Sequence, residues 1–150
     1  MQDIRKILLC IDGEEHTAKA EDYAITLARQ SGAVIVALYA VSPYLKKFTT
    51  EIYAVNRDEC CAHLDRSLMR EGGAALAIFE GKASRHQVKV SSMVLYGFPE
   101  QIIAEEAEQG CYDLVILGGK TLRTWKERFE SCNLPGKIFK DLSAPVLFVR

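Results

Sequence analysis

Several short segments carry residue types that could do chemistry. Leu117-Gly118-Gly119-Lys120-Thr121 ends on Gly-Lys-Thr, the tail of a loop whose backbone N–H groups wrap phosphates. The full pattern, G-x-x-x-x-G-K-S/T, needs a glycine at position 114, where Leu114 stands inside a strand-like run. A P-loop is therefore rejected. No G-x-G-x-x-G follows the first strand either, so a dinucleotide fingerprint is unsupported. Cys60, Cys61 and His63 are metal-ligand types, but a structural zinc site wants four ligands at wider spacing, and there is no second cluster. No metal is expected. His16, His63 and His86 are scattered and no G-x-S-x-G elbow exists, so nothing points to a hydrolase. Thiol-based sensing at Cys60-Cys61 would need a lowered thiol pKa, and only Arg57 and Arg66 are near in sequence. Lys120, Arg123, Lys126 and Arg128 surround Trp125, with Glu127 and Glu130 offsetting part of the charge. That segment reads as a charged loop with an anchoring tryptophan, or as a phosphate-facing rim or partner surface. Asp12-Gly13 and Gly118-Gly119 each follow an apolar run. They are tight turns, where glycine supplies a positive φ, or two lips of one ligand mouth.

The elements that must position these residues alternate along the chain. Ile4 to Ile11 is a buried-strand run. His16 to Ser31 places Ala20, Tyr23, Ala24, Leu27 and Ala28 at helical spacing, and Gly32 stops it. Ala33 to Val41 is a second strand, ended by Ser42-Pro43. Thr50 to Arg70 is helical, with Cys61, Leu64 and Leu68 on one side. The helix either stops at Gly72-Gly73 or continues, bent, to about Arg85. Gln87 to Tyr96 is the third strand. Gly97-Phe98-Pro99 opens a helix running through Glu100 to Gln109, with Ile102, Ile103 and Ala107 inward and its glutamates solvated. Asp113 to Leu117 is the fourth strand. Asn133 caps a short helix to Leu142, and Pro145 to Val149 is the last strand.

This alternation predicts an α/β fold: a three-layer, doubly wound sandwich around a five-stranded, mainly parallel sheet. Ligands of such sheets bind beyond the carboxyl ends of the strands, where the strand order reverses. In the order 2-1-3-4-5 and its relatives, that point lies beside the first strand. If the first and fourth strands are neighbours, Asp12-Gly13 and Gly118-Gly119 line one mouth.

Composition narrows the function classes. The chain has 150 residues, 49% of them hydrophobic and 26% charged, with net charge −1. One domain over residues 1–150 suffices, and it can fold without metal or disulfide. The near-zero charge argues against nucleic acid as the main partner. The longest uncharged apolar runs, Ile7 to Ile11 and Ala33 to Pro43, fall short of the roughly 18 residues that a membrane span requires. The first six residues have no signal-peptide layout, and the five cysteines, Cys10, Cys60, Cys61, Cys111 and Cys132, read as buried or idle thiols. The expected location is the cytoplasm.

Five segments together resemble the universal stress protein family, over essentially the whole chain. They are Lys6-Ile7-Leu8-Leu9-Cys10-Ile11-Asp12-Gly13, Ala20 to Gly32, Gly97-Phe98-Pro99-Glu100-Gln101-Ile102-Ile103, Asp113 to Gly118, and Ala144 to Val149. The resemblance implies a flavodoxin-like or adenine-nucleotide-hydrolase-like sandwich and a two-fold dimer through the C-terminal strand. Many members bind ATP through G-x2-G-x9-G-S/T after the fourth strand. Counted from Gly118 or Gly119, the later glycine positions hold Thr121 or Leu122 and Ser131 or Cys132. The segment resembles the branch that lacks these glycines and carries a tryptophan there. The implied role is a non-catalytic, regulatory or stress-response binding module with an unidentified protein partner, and ATP or AMP is disfavoured. The alternative is a nucleotide-binding switch with weak or no hydrolysis. In that case Asp12 holds the nucleoside side, Ala40 or Val41 lines the base pocket, and Gly118 meets phosphate.

Overall fold

The computed structural model describes residues 3–13, 15–41, 57–119 and 142–150, with backbone alone for 16 and 57–65. Five strands form one sheet: β1 (Lys6–Ile11), β2 (Val34–Val41), β3 (Val90–Tyr96), β4 (Leu114–Gly118) and β5 (Val146–Val149). One 3-10 turn, Glu15–Thr17, leads into α1 (Ala18–Ser31). α2 (Arg57–Arg85) precedes β3, and α3 (Pro99–Gln109) joins β3 to β4. The cap expected from Asn133 lies outside the described residues. Among those that are described, no helix is long and apolar enough to cross a membrane.

The strand order is β3-β2-β1-β4-β5, and every pairing is parallel. Among the relatives of the order 2-1-3-4-5, this is one in which the third strand lies outside the second instead of beside the first. The reversal still falls next to β1, between it and β4. Right-handed crossovers explain the layers. The steps β1 to β2 and β2 to β3 run in one direction, so α1 and α2 cover the same face. The step β3 to β4 runs back, so α3 covers the other. The core divides accordingly. Ile7, Leu9 and Ile11 pack with Ala20, Ala24, Leu76 and Phe79. Leu8, Val36 and Leu38 pack with Ile102, Ile103 and Ala107. Ile7, Leu9, Val36, Val115 and Leu117 are buried, as their runs predict.

Local signals hold at most boundaries, with one correction. Tyr23 is 55% exposed, and Ile25 takes the inward place on α1. Cys111 is a free thiol and exposed. At the amino-terminal edge of the sheet, Lys6 donates its ammonium to the Gly110 carbonyl at 2.8 Å and lies 4.5 Å above the Tyr112 ring. The Tyr112 hydroxyl donates to Glu106 at 2.7 Å. Burial first, then that bond, pushes the Tyr112 hydroxyl pKa well up. This end of the sheet is closed by packing, which leaves the opposite end for a ligand.

Candidate functional site

Because β1 and β4 are neighbours, the segments that follow them emerge side by side. Cys10 stands opposite Leu117 in the register, and Ile11 stands opposite Tyr39 of β2. The next residues along these strands are Asp12, Gly118 and Ala40. A cleft of about 1050 Å³ opens over them, and all three line it. The residues expected at the site are therefore brought together, from three different strands. Val41, the other base-lining candidate, lies in the same wall.

The glycines at the two lips differ in purpose. Gly13 has φ +76°, so the turn after β1 does need the left-handed region. Gly118 has no positive φ. A methyl group on it would lie 2.9 Å from Thr17 Cγ2 and 3.0 Å from Thr17 Cα. It is glycine so that the 3-10 turn can close on the end of β4. Gly119 serves packing as well: a methyl there would fall 1.9 Å from the Phe148 ring. Its N–H donates to the Val149 carbonyl at 2.9 Å. The expectation that all four lip residues line one mouth thus holds for Asp12, Gly13 and Gly118, while Gly119 faces β5.

The described lining is acidic. It carries Asp12, Glu15, Glu21 and Glu71, and among the described residues it has no lysine, arginine or histidine. Burial holds the Glu21 carboxyl above its ordinary value, against the pull of Lys82. The geometry explains why Lys82 does not win. Its ammonium sits 2.7 Å from Asp22 and 3.4 Å from Glu21, so its closer contact is with the more exposed carboxylate. Asp22 and Asp12 add repulsion at Glu21. Cys10 also lines the cleft, and burial pushes its thiol up to about 12. At neutral pH it is a protonated thiol and a poor nucleophile.

Sequence reasoning missed Thr17, Glu21 and Tyr39. Thr17 is buried beneath the cleft wall. Its only local signal is its place just before α1. Glu21 follows one turn later on the cleft side. Tyr39 was readable as the one aromatic residue in an otherwise aliphatic strand.

Residues 3–150 match the Universal stress protein family. The chain belongs to that family. The universal stress protein MJ0531 of Methanocaldococcus jannaschii is 30% identical over 148 residues, which cover 97% of this chain and 82% of that protein. Among solved structures, the hypothetical protein MJ0577 aligns with a TM-score of 0.80 at 19% identity, covering 99% of this chain and 96% of its own. A universal stress protein crystallised in complex with cAMP gives 0.70 at 18% identity, covering 99% and 98%. These structural likenesses carry the fold. In this universal stress protein, the sites of the missing family glycines lie outside the described residues: Thr121 or Leu122, and Ser131 or Cys132. So do Lys120, Arg123, Trp125, Lys126 and Arg128, and the side chains of Cys60, Cys61 and His63.

Proposed function

We propose that this universal stress protein is a non-catalytic regulatory module, and that the cleft over β1, β2 and β4 seats a nucleoside monophosphate rather than ATP. The observation that carries this reading is the convergence of Asp12, Ala40 and Gly118 on one cleft of about 1050 Å³. Its size suits a nucleotide, and it opens at the reversal of strand order, where ligands of such sheets bind. Asp12 can accept hydrogen bonds from ribose hydroxyls. The short Ala40 side chain leaves room for a flat base. The acidic lining disfavours a triphosphate, whose charges would meet Asp12, Glu15, Glu21 and Glu71. The same preference is supported by the sequence, which has Thr121 or Leu122, and Ser131 or Cys132, where the family's ATP-binding pattern has glycines. The unactivated Cys10 thiol supports a binding role over covalent catalysis.

Calorimetric titration of the purified protein with AMP and ATP tests the reading. AMP should bind in the micromolar range, ATP about tenfold or more weakly, and Asp12→Ala should weaken AMP by about tenfold. Low-micromolar ATP binding that Asp12→Ala abolishes would instead establish the switch alternative. We also propose that the module works as a homodimer through β5, an apolar strand at one edge of the sheet.

A further inference from the structure

Tyr39 stands on β2 opposite Ile11, the residue before Asp12. Its side chain lies on the α1–α2 face of the sheet and forms part of the cleft wall. One edge of the ring rests directly on the backbone of α2. A methyl group on Gly72 would fall 2.6 Å from Cδ1, closer than real carbon atoms approach, and a tight 3.0 Å from Cε1 and 3.1 Å from Cγ. The other edge points toward the turn after β1, with Cε2 4.0 Å from where a Gly13 methyl would sit. That same Gly13 position lies 3.4 Å from Cβ of Ala75. Gly72 and Ala75 are three apart, so they share a face of α2. The turn, the ring and this face of α2 are thus one packed layer.

Glycine is a poor helix former, second only to proline. Its presence at a buried interior position of α2 needs a packing reason, and the Tyr39 ring supplies one. An aromatic ring is rigid, with few torsions to lose on fixing. We propose that Tyr39 is the positioning residue of this cleft: its ring is a spacer between the Asp12–Gly13 turn and α2, and it sets how far apart those walls stand. The part of this that concerns a ligand rests on the cleft's being the nucleotide seat. A side chain without the ring removes the stop between the walls. A methyl at position 72 drives the ring off the helix and disturbs the turn that carries Asp12.

The test uses Tyr39→Phe, Tyr39→Ala, Gly72→Ala, the double variant Tyr39→Ala/Gly72→Ala, and Gly73→Ala as a control with no neighbour within 4 Å of its added methyl. AMP is the probe. Gly73→Ala should bind AMP as the parent does, Tyr39→Ala and Gly72→Ala should each weaken it by about tenfold, and Tyr39→Phe, which keeps the ring, should restore most of what Tyr39→Ala loses. Gly72→Ala should move the backbone amide resonance of Gly13, which belongs to a distant part of the chain, and Gly73→Ala should not. Gly72→Ala should lower the melting temperature of the parent but raise that of Tyr39→Ala, where no ring opposes the better helix former. Unchanged AMP affinity in Tyr39→Ala, or an unmoved Gly13 resonance in Gly72→Ala, would overturn the proposal. If the parent binds no AMP, the ligand reading fails by itself. The Gly13 resonance and the melting temperatures then decide the spacer, and additive melting shifts would overturn it.

Discussion

Asp113 ties together two strands that are far apart in sequence. Its carboxylate accepts the backbone N–H of Arg5 at 2.8 Å and of Lys6 at 2.9 Å, across 108 and 107 residues. The bond from Arg5 first, then that from Lys6, holds its pKa below the ordinary aspartate value. A folded pKa below the unfolded one means stability that is present above the unfolded value and lost as pH falls through the folded one. Asp113→Asn should therefore be less stable than the parent near neutral pH, and the two should converge in acid. Urea midpoints measured across that range check it. A gap of constant size at every pH would mean that the carboxylate charge plays no part. From sequence, Asp113 was legible only as the first residue of a strand motif, because its partners are brought to it by the pairing of β1 with β4.

At the scale of elements, α2 settles what local propensity left open. It runs unbroken through Gly72-Gly73 for 29 residues. Two interior glycines cost about 2 kcal/mol relative to alanine. Burying each of Leu68, Leu76 and Phe79 contributes roughly 1.5–3 kcal/mol, so the apolar face outweighs the glycines. Neighbouring residues on α2 offer a direct comparison. Phe79 is fully buried, whereas Ile78 is 74% exposed. Phe79→Ala should cost about 3–5 kcal/mol by the transfer and cavity terms. Ile78→Ala should stay within about 0.5 kcal/mol. Chemical denaturation of both variants checks the contrast, and equal losses would mean that α2 is anchored elsewhere.

At the scale of the whole molecule, the sheet has two edges, and β5 is the apolar one. Its backbone pairs with β4 on one side, and among the described residues no strand pairs with the other, where the proposed second chain would add. In a two-fold contact each residue faces its own copy or that copy's neighbour, so one added charge acts twice. Leu147→Glu should convert a dimer to monomer or aggregate. Leu147 and Phe148 both also pack within the chain, Leu147 against the α1–α2 core and Phe148 against the α3 core and Gly119, so a melting temperature accompanies the mass. Val41→Ala, in the cleft wall, should leave the mass unchanged. Light scattering of the parent comes first, and a clean monomer across micromolar concentrations would remove the dimer.

The alternation of apolar runs and amphipathic stretches determined that the sheet is parallel and covered on both faces. It also marked Asp12 and Gly118 at the ends of strand runs, whereas Ala40 was indicated only by the family resemblance. Those signals are local: period, composition and punctuation survive in any order of strands. The order β3-β2-β1-β4-β5 was not local, since it depends on which face each crossover covers. Only that order put β4 beside β1 and closed Thr17 onto Gly118. Likewise Gly72 and Gly73 read alike in sequence, two glycines in a row. Tertiary packing alone distinguishes them, because the Tyr39 ring lies against one and open space against the other.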